Sequence, residues 1–195
     1  MKKIISTCLV LLSLASTAQH EELSQKLEAF AADHSEDYEK KTLNLDDPEI
    51  GDIEETNFTF SERYMLKSKE RVMSNLDREI YARYYINAYA YYDEAERDYA
   101  MQYWLQNFIE GQSVRPGRDI RTYDYATPTI VIINETSIIV LNYECALYDR
   151  DSFREWRNKM LNYFGDPNSV IIEIKCGGPL EWTKNPPDRR DRRWR

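Results

Sequence analysis

The apolar residues of this chain follow one period before residue 111 and another after residue 117, which constrains the fold more than any other feature. Before the change they return every three or four residues, as on one face of a helix. After it they form short runs rich in Ile and Val, which are typical of strands. The segment 111–117 itself carries two glycines and a proline, residues that end regular structure. The sequence therefore predicts a helical half followed by a sheet.

The first part of the helical half is predicted to be a short helix and a loop. Leu23, Leu27 and Phe30 recur at helical spacing and predict an amphipathic helix over 20–33. The polar and acidic segment 35–55 follows, and we interpret it as a loop.

A long tyrosine-rich helix is predicted next. Ser61 resembles an N-cap, and no Gly or Pro follows it before residue 111. A single rod from there to Ile109 would be about 70 Å long and would protrude from a domain of this size. Asp93 followed by Glu96 matches a capping box, which predicts a break near 92–93 and a helical hairpin in place of the rod.

The second half alternates strands with one helix. A loosely alternating piece at 120–125 and the runs 129–133, 138–143 and 170–174 predict four strands. A helix between the last two begins at Asp149 or Asp151 and ends at Gly165. Its predicted buried residues are Phe153, Trp156, Met160, Leu161 and Phe164.

The predicted fold class is therefore α+β. The N-terminal helical half, a short helix plus a long tyrosine-rich helix or helical hairpin, packs on a small mixed sheet with β-β-β-α-β order. The step from 138 to 174 is long enough for a right-handed crossover, which predicts that these two strands are parallel.

The N-terminus resembles a bacterial-type export signal. Lys2 and Lys3 precede an apolar run over 4–14, and small residues at 15–18 predict cleavage after Ala18. The run is too short to span a membrane, and no later run is longer. We expect a signal peptide at 1–18, a single domain at 19–184 and a disordered basic tail at 185–195. The mature chain is then periplasmic or secreted, with no transmembrane segment.

Two cysteines remain after this cleavage. Loss of Cys8 leaves Cys145 and Cys176, and an even number in an oxidising compartment predicts a disulfide. Each cysteine follows a predicted strand, and neighbouring parallel strands would bring them within bonding distance, whereas one intervening strand would not. Two buried free thiols are the alternative.

The charge of the chain excludes one class of partner. It carries 34 acidic and 26 basic residues, for a formal net charge of −8. Binding to nucleic acid needs a basic face to meet the phosphates, so we expect no nucleic-acid partner. An acidic surface also keeps exported proteins soluble.

No catalytic, metal or cofactor motif is present in the sequence. Two histidines, His20 and His34, lie fourteen residues apart without a zinc-ligand pattern. The acidic run 46–52 does not fit a calcium loop, because Pro48 and Ile50 occupy ligand positions. Two carboxylates stand out because they lie in the strand region, and we interpret both as solvent-facing: Glu144 and Glu173.

Two groups of residues are candidates for binding. The tyrosine-rich segment covers more than one helix face, so some rings could contact a partner, although packing in the core is the alternative. Its candidate binding residues are Tyr84, Tyr85, Tyr89 and Tyr92. The basic tail is the second candidate group. It could bind an anionic surface, fold onto the acidic N-terminal half of the chain or stay solvated. These candidates are Arg189, Arg190, Arg192 and Arg193.

The leading functional hypothesis is an exported, non-catalytic protein that binds a macromolecular partner. That partner is a protein or an anionic surface of the cell envelope, and no cofactor is expected. The alternative is a carboxylate-dependent hydrolase with a cleft between the tyrosine-rich helices and the sheet, since two acids in a cleft suffice for such chemistry.

Signal cleavage is directly testable. Protein purified from the envelope or the medium should begin at Gln19, because the small residues at 16 and 18 suit a signal peptidase. Intact mass spectrometry checks this, and retention of residues 1–18 would refute it.

Overall fold

The computed structural model describes residues 20–44, 57–108, 117–120 and 127–188. The predicted signal peptide and the tail from Arg189 onward lie outside these residues. In chain order the elements are α1 (20–33), β1 (Tyr38–Thr42), β2 (Phe60–Met73), β3 (Glu79–Ala90), α2 (Glu94–Phe108), β4 (Thr129–Ile133), β5 (Ser137–Tyr143), a short 3₁₀ turn (Cys145–Leu147), α3 (Arg150–Phe164), β6 (Val170–Ile174) and β7 (Leu180–Lys184). The strands form one seven-stranded antiparallel sheet in the order β1-β2-β3-β5-β4-β6-β7.

Helices cover the sheet on both faces. On the first face, α1 and α3 pack against alternate strand residues such as Ile130 and Ile132. On the second face, α2 packs against the residues between them, such as Val131 and Ile133. Because β4 is covered on both faces, all five of its residues are buried, and the four after Thr129 are apolar.

The predicted helical half is wrong. The first arm of the tyrosine-rich helical hairpin, up to Ala90, is instead the long antiparallel β-hairpin of β2 and β3, and only the second arm is helical, as α2. Along β3, Tyr84 and Ile86 belong to the core of the first face, whereas Tyr85 and Tyr89 lie on the second face. This is the period of two expected for a strand, and Tyr and Ile also favour strands over helices. Ser61, expected to cap a helix, pairs with Tyr89 within the sheet.

The turn of this hairpin carries neither Gly nor Pro, which concealed it in the sequence. The backbone N–H of Ser74 donates to the Arg78 carbonyl at 2.8 Å, and that of Asp77 donates to the Ser74 carbonyl at 3.1 Å. Asp77 adopts a φ of 55°, which short polar residues tolerate better than others. The sequence Ser-Asn-Leu-Asp at 74–77 is therefore the signal for the turn.

Several local predictions are confirmed. The helix over 20–33 is present. A helix does begin after Asp93, whose Oδ1 accepts the Glu96 N–H at 2.9 Å, although a strand precedes it. Asp149 caps α3 by accepting from the N–H groups of Asp151 and Ser152. Gly165 ends α3, since a Cβ there would lie 2.7 Å from the Leu161 carbonyl oxygen.

The predicted order and mixed pairing of the sheet are also wrong. The strands β1 and β7 were missed, the first because it lies in a segment interpreted as a loop. Ile120 forms one antiparallel bridge with Leu180, and the rest of the strand predicted at 120–125 lies outside the described residues. β5 and β6 do run in the same direction, but β4 lies between them and pairs antiparallel with both.

The predicted disulfide between Cys145 and Cys176 is present, with the two Cα atoms 5.3 Å apart. The expectation that an intervening strand forbids the bond is wrong. Both cysteines lie two residues past their strands, and β4 begins at Thr129, which is level with Asn142 and Ile174. The bond therefore closes beyond the end of β4, where the two chain segments converge.

Removal of this disulfide should destabilise the fold. It closes a loop of 31 residues, and the chain-entropy model assigns such a loop about 3.7 kcal/mol. We expect the double variant Cys145→Ser, Cys176→Ser to lose about this much free energy of unfolding in urea. Native protein should show no alkylatable thiol without reductant, and two such thiols would contradict the oxidised state.

Candidate functional site

The four tyrosines predicted to bind a partner do not form one surface. The four candidate arginines lie outside the described residues. Tyr84 lies in the core of the first face, where its ring centre is 4.2 Å from that of Trp156. Tyr85 and Tyr89 are buried on the second face, and only Tyr92 of the four is exposed. Whether any of them contacts a partner stays a prediction.

The buried tyrosines of the first face act as core residues. Burial raises the pKa of Tyr38, Tyr64, Tyr84 and Tyr143 above the ordinary value, so their phenols keep their protons further into alkaline solution than exposed phenols do. Their rings pack against one another beneath α3, where the ring centroids of Tyr84 and Tyr143 lie 5.0 Å apart. Such packed aromatic pairs contribute to stability beyond the area they bury.

His34 is also a core residue. It is buried, its Nδ1 lies 2.7 Å from the Phe30 carbonyl oxygen, and its ring stacks on Trp156 with centroids 5.1 Å apart. His20, in contrast, lies 3.0 Å from the Thr59 hydroxyl at the start of α1. The two histidines do not converge.

The two carboxylates flagged in the strand region differ. Glu144 is exposed, as expected. Glu173 is buried, because it lies on the first face beneath α3, where Arg157 is 3.3 Å and the Thr183 hydroxyl 2.8 Å from Oε1. The expectation of a solvent-facing Glu173 is therefore wrong, and its ion pair ties α3 to β6.

The most distinctive exposed feature is the outer part of the β2–β3 hairpin, residues 67–83, which we call the hairpin tip. β1 pairs with β2 only as far as Ser68, and β5 pairs with β3 only from Tyr84. The tip therefore extends beyond its neighbouring strands. Four of the six large apolar side chains that are exposed in the described part of the chain lie on it: Val72, Met73, Leu76 and Tyr81.

Basic side chains surround the exposed ring on the second face of the tip. Tyr81 pairs with Arg71 across the hairpin. The ring centre of Tyr81 lies 4.6 Å from the Lys67 Nζ and 5.6 Å from the guanidinium carbon of Arg71. Such cation–π contacts hold both cations near the ring. The tip has five basic and three acidic residues, in contrast to the acidic chain as a whole.

The apex of the tip is attached to the disulfide-linked turn. The backbone N–H of Asn75 donates to the Ala146 carbonyl at 2.9 Å, and its Nδ2 donates to the Cys145 carbonyl at 2.9 Å. Ser74 beside it is buried, and its hydroxyl accepts the N–H of Arg78 at 3.2 Å. These bonds give the apex a fixed position relative to the sheet.

A groove of about 720 Å³ opens at the opposite end of the sheet, and we call it the acidic groove. It lies where the β4–β5 turn meets the loop after α3 and the end of β7. Ile133 and Val170 supply apolar lining. The carboxylates that line it are Glu94, Glu135, Asp166 and Asp188. A smaller groove beside it shares Asn134, Glu135 and Asp166.

Buried hydrogen bonds hold the walls of the acidic groove. Arg97 is buried, pairs with Asp98 and donates to the carbonyls of Asn134 and Glu135, the latter at 2.8 Å. The Nδ2 of Asn134 donates to the Phe164 carbonyl at 3.0 Å, and its Oδ1 accepts the Ser169 hydroxyl at 2.6 Å. The guanidinium of Arg97 is thus bonded to groups of its own chain, and the charged side chains that the groove exposes are carboxylates.

Neither the hairpin tip nor the acidic groove is predicted as a binding site by the sequence. The tip was missed because the hairpin was interpreted as a helix, and its signal was the turn at 74–77. The groove unites residues from four separate segments, and no local pattern marks them. Among the described residues, no group of three or more potential metal ligands gathers, and none of the helices there is long and apolar enough to cross a membrane.

Comparison of the chain with protein-family models, curated proteins and solved structures finds no match.

The buried phenols predict a loss of stability in alkali. Because the raised pKa values belong to the folded chain, its phenols keep protons that the unfolded chain loses, so stability is complete below about pH 10 and falls above it. Tyr143→Phe should reduce this slope by up to about 1.4 kcal/mol per pH unit. Urea unfolding at several pH values checks it, with the exposed Tyr92→Phe as control. Equal slopes in both variants would contradict the assignment.

Proposed function

We propose that the mature chain is an exported, non-catalytic protein that binds a macromolecular partner through its hairpin tip. The observation that carries this proposal is the concentration of exposed apolar side chains on the tip. Met73 and Leu76 are each 64% exposed, and such clustered apolar surface marks interaction sites in soluble proteins. The Cys145–Cys176 disulfide supports export, since such bonds persist in oxidising compartments.

The mixture of charges on the tip favours a protein partner over an anionic membrane. Glu70, Asp77 and Glu79 lie among the basic residues, and Asp77 follows Leu76 directly at the apex. Insertion of the apex into an anionic bilayer would bring these carboxylates to a negative surface at a cost. A protein surface can instead supply apolar contacts and charges of both signs.

The alternative hydrolase receives no such support. Its cleft is expected between tyrosine-rich helices and the sheet, but the first of those helices is absent, since Tyr81, Tyr84, Tyr85 and Tyr89 lie in strand β3 of the sheet itself. A general acid needs a raised pKa. The pKa of Glu22, which lines the smaller groove, shifts the other way because Lys26 bonds to it and attracts its charge.

The tip can be tested with the mature chain and a double variant, Met73→Ser with Leu76→Ser. We expect this tip variant to bind isolated envelopes of the producing cells at least tenfold more weakly, because each exposed apolar anchor contributes about 1 kcal/mol or more. Saturation binding of fluorescently labelled chain measures the effect.

The matched control is Tyr99→Ser, which removes an equally exposed aromatic side chain, 63% exposed, from outside the tip. It should bind as the unmodified chain does, and urea unfolding should confirm that both variants are folded. Equal binding by the tip variant would overturn the proposal. Equal binding of the chain to protein-free phosphatidylglycerol vesicles would assign the tip to lipid instead.

A further inference from the structure

We propose that the partner of the hairpin tip is a second copy of this chain, whose acidic groove receives the tip. This inference rests on the proposed function, because it identifies the partner of the same surface. It predicts that copies assemble head to tail.

The two surfaces are complementary in charge. The tip carries a local excess of basic residues on a chain whose formal net charge is −8. The groove is lined by four carboxylates, of which Glu94 pairs with Arg97, the one guanidinium of the lining. Arg97 also binds Asp98 and two backbone carbonyls, so Glu135, Asp166 and Asp188 carry the negative charge of the groove. Opposite potentials of this kind favour the matched pair and disfavour contact between two grooves.

They are also complementary in polarity and size. The apex presents Leu76 and Met73, and the lining of the groove includes three apolar residues that are at least partly exposed: Pro167, Val170 and Pro187. Its volume of about 720 Å³ is in the range of sites that enclose a ligand of several side chains. Apolar contact at the centre with charges around it is the usual anatomy of a protein interface.

Their positions exclude contact within one copy. Along β5, Tyr143 lies level with Tyr84 at the base of the tip, whereas Ser137 lies level with Ala90 beside the groove. The tip and the groove are therefore at opposite ends of the sheet. A tip in the groove of another copy leaves one tip and one groove open, so the contact is heterologous and can be extended.

Both surfaces are ordered before they meet. Asn75 fixes the apex to the turn at Cys145 and Ala146, and Arg97 fixes the β4–β5 turn that forms a wall of the groove. Surfaces that are already ordered lose less conformational entropy when they associate.

Sedimentation velocity of the mature chain over a wide concentration range tests this inference. We expect the mean mass to rise with concentration past that of a dimer, and high salt to weaken the association. Two variants block one surface each: the tip variant already described, and Glu135→Lys in the groove. Glu135 is suitable because its side chain is exposed, while the Arg97 contact uses its backbone carbonyl.

Each variant alone should need at least about tenfold higher concentration than the unmodified chain to reach the same mean mass. A mixture of the two should form dimers and nothing larger, since one variant keeps an intact groove and the other an intact tip. Tyr99→Ser should assemble like the unmodified chain. A symmetric tip-to-tip contact would instead leave Glu135→Lys assembling normally, which overturns the inference.

A chain that stays monomeric at every concentration in low salt also overturns it. That result leaves the proposed function intact if the tip variant still loses envelope binding relative to Tyr99→Ser. The two failures are therefore distinguishable.

Discussion

Burial of the central strands on both faces is the constraint on which the rest of the structure depends. β4 is buried at all five positions, so apolar side chains project to both sides of the sheet and each side needs a cover. The helices α1 and α3 supply one cover and α2 the other. With both faces occupied, much of the distinctive exposed surface lies at the two ends of the sheet. The hairpin tip and the acidic groove are found there.

The part of the fold that the sequence predicted is the part with dense local signals. The strands β4, β5 and β6 are runs of Ile and Val, and α3 lies between Asp149 and Gly165, which cap and end it by local contacts. Local chemistry is enough to recognise such elements. Their order in the sheet was not predictable in the same way, because the place of β4 between β5 and β6 is set by long-range packing.

The hairpin of β2 and β3 shows why the absence of helix breakers is weak evidence for a helix. From Tyr84 onward β3 is buried on both faces, and every residue except Asn87 is apolar or aromatic, so these residues fit a helical stripe as well as a strand. The exposure of Leu76 and Met73 depends in turn on where β1 and β5 stop pairing with the hairpin. The points at which β1 and β5 stop pairing are set by their own sequences, which lie outside the hairpin. The pairing of Cys145 with Cys176 was predictable, because it needed only the number of cysteines left after signal cleavage and the expectation of an oxidising compartment.

The bonds from Asn75 to the Cys145 turn make the anchorage of the apex depend on the redox state of two cysteines. The backbone that receives the apex is held by a covalent link which a reducing cytosol would leave open. In the reduced chain the apex would bond to a turn without a covalent link, and in the oxidised chain it bonds to a turn that the disulfide holds. Oxidation of the two cysteines that follow β5 and β6 is in this way linked, through Asn75, to the anchorage of an apex formed by β2 and β3.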